Sequence, residues 1–433
     1  MPDRETHVES GAEKGSYFTQ LLRKLFHLGS GELLARVFGV AVVILLGHTY
    51  GVVIVGVYAL AQGIAQYQQP VIDFGLRHVG ARLMARFPGS ASEIVHRVQR
   101  RRLGMAAAVL PFVLLYAAFA RLPIDMKVFL FVFAAISGMY ALSLDWAAWG
   151  REQLRLVGLA KAIVPGCVLI CLLIATRTQH LLVWLIVGNL VGYILQTIVF
   201  WVWWRRHQKE IGEQKQGVAA VVEALHWERT SIMGLAWLGN YAFATVDMLM
   251  LGVMSTPEQL GLYSASYRIL TQVLMTYYLL TTVLYPQLAK QPVAERLRML
   301  RPQIFLGLIA SGAFLSALVA VFRRPLLSIL FGRAFVAASP LLLVLVCAIP
   351  LDFVVTYLNS AYIAWSMERK VLACTAIAAV SNIVLNSIWI PRYGALAAAV
   401  NTVISYAIYA VGLAIAGRTA KELARTKVDT AEV

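Results

Sequence analysis

Residues 52–72 read VVIVGVYALAQGIAQYQQPVI, 21 positions without a charge. At about 1.5 Å per residue, a helix of that length covers the roughly 30 Å hydrocarbon core of a bilayer. Its polar residues are ordered. Gln62, Gln66 and Gln69, continued by Asp73, are spaced by four, three and four residues, which puts all four on one narrow stripe of a helix. Such a stripe suits either hydrogen bonds between helices or the wall of a wet cavity, and four groups in line favour the cavity.

Comparable apolar runs recur at 26–46, 103–120, 128–149, 156–175, 181–204, 232–254, 262–285, 305–321, 341–364, 371–390 and 395–416, so the sequence predicts an all-α polytopic membrane protein of twelve transmembrane helices. Composition agrees: 60% of residues are hydrophobic and 14% charged, where a soluble domain carries about a quarter charged. The ten-residue alternation of membrane β-strands is absent. The first twenty residues are polar, and the first apolar run lacks a small-residue cleavage site, which predicts an uncleaved first helix. Cys167, Cys171, Cys347 and Cys374 all fall in apolar runs, where a thiol behaves as a small hydrophobe. They predict neither a disulfide framework nor a metal site.

A net charge of +16 in a soluble protein would suggest nucleic acid, but here the basic residues must first be sorted by loop. With a cytoplasmic amino terminus, 28 Lys and Arg fall in the cytoplasmic segments between runs and 7 in the outer ones, which predicts that both termini are cytoplasmic. The densest group is Arg77, Arg82, Arg86, Arg97, Arg100, Arg101 and Arg102, between the second and third runs. Arg323, Arg324 and Arg333 oppose the trend in an expected outer loop and are candidates to meet an anionic substrate or lipid. No nucleic-acid partner is expected.

The halves echo each other. Gly56-Val57-Tyr58-Ala59 answers Gly261-Leu262-Tyr263-Ser264, Ala148-Trp149-Gly150-Arg151-Glu152 answers Ala364-Trp365-Ser366-Met367-Glu368, and Asn189 with Tyr193 answers Asn401 with Tyr406. Six helices per half is an even number, so the halves are expected to be parallel repeats. The predicted organisation is a cytoplasmic segment 1–25, a first six-helix bundle 26–204, a cytoplasmic linker 205–229, a second bundle 230–416 and a cytoplasmic tail 417–433. No Gly-rich loop ending in Gly-Lys-Ser/Thr is present, so no nucleotide-driven motor is expected.

A charge at mid-membrane costs about 2.5 to 3.5 kcal/mol on insertion scales, so each intramembrane charge is a functional candidate. Glu32 and Arg36 stand at i and i+4 in the first run, placed to pair or to snorkel. Asp247 lies deep in the seventh run with Asn240 seven residues earlier on nearly the same face, the best candidate for a protonatable or ion-binding group. In the eighth run Arg268 shares a face with Thr271 and Gln272, beside an aromatic stripe of Tyr267, Tyr278 and Tyr285. Arg268 suits a diphosphate, since a guanidinium binds such oxygens in two places; the bland reading is an interfacial anchor. Asp145 and Asp352 lie in the fourth and tenth runs.

Several stretches are similar to the Wzx-type polysaccharide flippases of the MOP superfamily. They are Val246-Asp247-Met248-Leu249-Met250-Leu251-Gly252, Gly261 through Arg268, Tyr285-Pro286-Gln287-Leu288, Asp73-Phe74-Gly75-Leu76, Asp145-Trp146 followed by Gly150-Arg151-Glu152, and Leu330-Phe331-Gly332. The resemblance covers nearly the whole chain and lies in the order of the motifs. It implies two pseudo-symmetric six-helix bundles in a V, with a central cavity lined by the first, second, seventh and eighth helices. The turn at 48–55 departs from the family's usual Gly-Pro with an acidic residue. Lipid II flippases of the superfamily usually carry two further helices beyond the twelve counted.

What the resemblance implies is a carrier and not an enzyme: an undecaprenyl-diphosphate oligosaccharide moved between leaflets of a bacterial inner membrane by alternating access. Arg36 and Arg268 would meet the diphosphate; Gln62, Gln66, Gln69, Gln272, Tyr267 and Tyr278 the sugars. Asp247, Glu32, Asp73 and Asn240 would serve ion coupling, with no cofactor beyond an H+ or Na+ gradient. Expected partners are the polyprenyl-diphosphate-linked sugar and membrane lipids, with a polysaccharide polymerase and a chain-length regulator as candidate protein partners of a monomer. The rival readings are a cation-coupled drug or metabolite antiporter and a lipid II-type flippase of the same superfamily.

Overall fold

The computed structural model describes residues 9–120, 122–178, 180–208, 227–290, 302–365 and 367–429. Among them every regular element is a helix. In chain order these are α1 Glu9–Asp73, α2 Leu76–Arg86, α3 Ala91–Phe119, α4 Ile124–Ser137, α5 Asp145–Gly150, α6 Leu154–Lys161, α7 Ile163–Ala175 and α8 Leu181–Gln208. The chain continues with α9 Trp227–Met254, α10 Pro257–Lys290, α11 Pro302–Phe331, α12 Ser339–Leu345, α13 Ala348–Ala364, α14 Glu368–Tyr393 and α15 Ala395–Asp429. Eight helices among the described residues are long and apolar enough to cross a membrane, nine when Arg333–Leu345 and Ala348–Ala364, which meet at 50°, form one bent span.

Every expected run falls on helix, but the breaks differ from expectation. The helix α1, Glu9–Asp73, is 65 residues long and holds the first two runs. In place of an outer turn over 48–55, the break is the single residue Gly51 at φ 78°, ψ −170°, a conformation that side-chain-bearing residues rarely adopt. The fourth run is interrupted by a 3-10 turn at Gly138–Leu142 and the extended Ser143. The ninth continues to Phe331, past its expected end at 321, so Arg323 and Arg324 sit on helix and not in a loop. There Arg323 Nε donates to Ser339 Oγ at 2.9 Å and its Nη1 to the Ala320 carbonyl at 2.6 Å.

The polarity of the molecule is inverted relative to a soluble protein. Phe112, Phe314 and Ile329 are each 72% exposed, whereas Arg102, Asn386 and Asn401 have no exposed surface. A surface this apolar needs lipid around it, and polar groups in lipid must find their partners inside the protein.

Two compact units are present: Met1–Leu45 with Gln68–Leu114 and Phe131–Gly234, and Leu46–Tyr67 with Leu115–Leu130 and Leu235–Val433. The first unit is centred on the fully buried Trp146, packed with Met84, Ile94 and Phe200. In the second, Tyr362, Leu358 and Tyr409 form a core in which the Tyr362 hydroxyl donates to the Leu413 carbonyl at 3.0 Å.

Within the second unit, the two glycines that open the echoing motifs touch. A Cβ on Gly56 would lie 2.3 Å from the Pro257 carbonyl oxygen and 2.8 Å from Gly261 N; one on Gly261 would lie 2.1 Å from the Val52 carbonyl oxygen. These neighbours are backbone and cannot swing aside. Gly56→Ala and Gly261→Ala should therefore each lower thermal stability by about 1–3 kcal/mol or more. Gly39→Ala, where no atom lies within 4 Å, is the control and should be neutral; a detergent melting series comparing the three checks this.

Candidate functional site

In the first unit α1 ends at Asp73, α3 carries Arg102, and the 3-10 turn before α5 carries Tyr140. Arg102 is completely buried, with its Nε 2.9 Å from Asp73 Oδ1 and its Nη2 3.9 Å from Asp145 Oδ1. It donates to the carbonyls of Ser143 at 2.5 Å and Tyr140 at 3.3 Å, and its guanidinium lies 4.8 Å from the Tyr140 ring centroid. The Tyr140 hydroxyl donates to Asp73 Oδ2 at 2.8 Å, while Arg77 pairs with Asp145 at 3.2 Å. Two cations and two carboxylates thus close a balanced network. Outside the spans, burial and the adjacent Arg77 guanidinium hold the His78 imidazole below its ordinary pKa.

The polar residues of the Gln stripe take different surroundings. Gln66 is exposed, and Asp73 is buried in the Arg102 network. Gln69 lines a cavity of the first unit, and Gln62 belongs to the second. Arg36 pairs with Glu32 at 3.1 Å, and Glu32 is shared with Lys161, also at 3.1 Å. These half-exposed pairs contribute about 0–1 kcal/mol.

In the second unit Asp247 of α9 is 2% exposed. Its Oδ2 accepts from the Tyr263 and Thr402 hydroxyls, each at 2.8 Å, and its Oδ1 accepts from Asn386 Nδ2 at 2.5 Å. Asn386 Nδ2 also donates to Asn382 Oδ1 at 2.9 Å, and Asn401 Nδ2 to Asn386 Oδ1 at 2.8 Å. All of these donors are neutral, and among the described residues Asp247 has no cationic partner. Tyr267 stacks on Tyr263 with centroids 5.7 Å apart. A second buried acid, Asp352, accepts from Thr356 at 3.3 Å and from no other side chain among the described residues.

Arg268 of α10 is half-buried and donates to Gln62 Oε1 at 2.8 Å, while Gln62 Nε2 donates to the Tyr58 hydroxyl at 3.2 Å. Among the described residues no carboxylate pairs with Arg268. Gln272 is exposed. The side chains of Asn240, Tyr278 and Tyr285 lie outside the described residues.

Sequence reasoning took Arg102 for part of a cytoplasmic charge cluster and passed over Asn382, Asn386 and Thr402. A signal for the two asparagines was present: Asn382 and Asn386 stand at i and i+4 in an apolar helix, while Thr402 carried none. Arg102 was hidden because three consecutive arginines precede a span, and only one of them turns inward.

Residues 21–291 match the family model described as "Polysaccharide biosynthesis protein", and the chain belongs to that family. A stretch of 179 residues, 40% of this chain, is 25% identical to the probable low-salt glycan biosynthesis flippase Agl15 of Haloferax volcanii. That stretch spans 38% of the relative's length. Among solved structures, the chain is similar to the lipid II flippase MurJ in an inward closed conformation, with TM-score 0.69 at 13% identity, covering 90% of this chain and 87% of that one. It is also similar to an inward-facing multidrug resistance MATE family transporter of the MOP superfamily, with TM-score 0.63 at 13% identity, covering 93% and 96%. The fold is that of the MOP superfamily.

Removing Arg102 leaves the buried Asp73 carboxylate without its ion-pair partner and weakens the charge balance around Asp145. Arg102→Ala should cost about 3–5 kcal/mol of stability, and adding Asp73→Asn should recover part of the loss. Chemical denaturation of the detergent-solubilised protein tests both; wild-type stability in Arg102→Ala would mean the network does not hold the unit together.

Proposed function

We propose that the chain is a flippase of the bacterial inner membrane, with both termini cytoplasmic, which moves an undecaprenyl-diphosphate-linked oligosaccharide from the inner to the outer leaflet by alternating access. Hydrocarbon opposes the passage of a hydrated anion, and the protein provides polar surroundings in its place. Membership of the polysaccharide biosynthesis family, the flippase name of the archaeal relative and the fold shared with a lipid II flippase support this reading.

The observation that carries it is Arg268, a half-buried cation on α10 bonded to a neutral amide and paired with no carboxylate among the described residues. A guanidinium so placed keeps its capacity for an anion, and its planar fork matches two phosphate oxygens. Asp247 is the complement, a buried carboxylate held by neutral donors alone among the described residues, suited to take up a proton or a sodium ion. The membrane potential supplies about 2.3 kcal/mol per charge per 100 mV for that coupling.

A cation-coupled antiporter draws support from Asp247 and Asp352, both buried carboxylates. Thermal stabilisation of the purified protein by a polyprenyl-diphosphate sugar, and not by an organic cation such as ethidium, separates the flippase from that rival.

In proteoliposomes a fluorescent polyprenyl-diphosphate sugar should cross the bilayer, and Arg268→Ala should slow it about tenfold or more, as loss of a charge-assisted hydrogen bond implies. Unchanged transport removes Arg268 from the mechanism. Asp247→Asn should abolish the response to an imposed H+ or Na+ gradient, and coupling that persists in this variant excludes Asp247 as the carrier of the ion.

A further inference from the structure

The first unit holds a cavity of about 230 Å³, lined among others by Gln69, Arg77, Asp145, Lys161, Tyr193 and Gln196. Its charged groups are all paired: Arg77 with Asp145 at 3.2 Å and Lys161 with Glu32 at 3.1 Å. Two neutral side chains of the lining make neither an ion pair nor a hydrogen bond among the described residues. Among the described residues Gln69 and the Tyr193 hydroxyl form no hydrogen bond, although Tyr193 is only 9% exposed. Gln196 spends its Nε2 on the Ala160 carbonyl at 3.0 Å and keeps its amide oxygen.

Polar groups that face a cavity without a protein partner are met there by water or by a ligand. An ion would need a free counter-charge, and the lining offers none. A ligand rich in hydroxyls meets the requirement, because each hydroxyl both donates and accepts and so answers an amide, a phenol and an amide oxygen alike. The volume sets the size: pockets for drug-sized ligands run to about 300–1,000 Å³, so this smaller chamber suits one sugar ring and not a chain of them. Phe200 and Tyr140 add aromatic walls.

We propose that this cavity is a subsite for a single uncharged sugar residue of the carried glycan, contacted by Gln69, Tyr193 and Gln196. The proposal rests on the flippase reading for the origin of the sugar, while the chamber's preference for hydroxyls stands on its own lining.

Two measurements test it. In proteoliposomes loaded with either polyprenyl diphosphate or polyprenyl-diphosphate N-acetylglucosamine, Tyr193→Phe and Gln196→Leu should lower the ratio of sugar-bearing to sugar-free transport about three- to tenfold, the worth of one neutral hydrogen bond. An unchanged ratio, including equal slowing of both lipids, overturns the subsite. The second measurement does not need transport: saturation-transfer difference NMR of the full chain in detergent with methyl N-acetylglucosaminide and methyl glucoside. Signals that are present in the wild type and weakened in Tyr193→Phe support the subsite. Signals absent from the wild type, or equal in both proteins, mean that the chamber holds only water. Were neither lipid transported while the NMR signals behaved as expected, the flippase reading would fall and the sugar site would remain.

Discussion

Hydrocarbon supplies no hydrogen bonds, so a polar group in a membrane span must be satisfied by the protein, by water in a cavity or by a ligand. That constraint sorts the whole chain. It turns Phe112, Phe314 and Ile329 outward and draws Arg102, Asp247 and the asparagines Asn382, Asn386 and Asn401 inward. It also gives meaning to what is left over, because in this setting an unpaired charge or amide is costly enough to require a reason.

The two units meet the constraint differently. In the first, Asp73, Arg102, Asp145 and Arg77 neutralise one another, and the same carboxylates and guanidiniums are braced by Tyr140 and by backbone carbonyls. A closed set of this kind holds a structure in place. In the second, Asp247 and Arg268 have neutral hydrogen-bond partners and, among the described residues, no oppositely charged one.

Much of this was legible in the chain. Apolar length alone located helix at every span, and rarity of charge alone pointed to Asp247 and Arg268. The breaks were not legible, since a one-residue turn at Gly51 and a bend between α12 and α13 leave hydropathy almost unchanged. Nor was the fate of Asp73 legible: its spacing aligns it with the glutamines, yet its carboxylate is taken by an arginine 29 positions away, on another helix. Periodicity reports which face a residue occupies; it does not report what stands opposite. Arg323 and Arg324 show the same limit, for charge suggested a loop where the helix simply continues.

The contact between Gly56 and Gly261 carries a mechanical consequence. Where two helices meet this closely, with main chain against main chain, the crossing has no room for a further carbon and so sets the spacing of the two axes. That spacing in turn sets the reach between Gln62 and Arg268, which lie six and seven residues beyond the two glycines and meet at 2.8 Å.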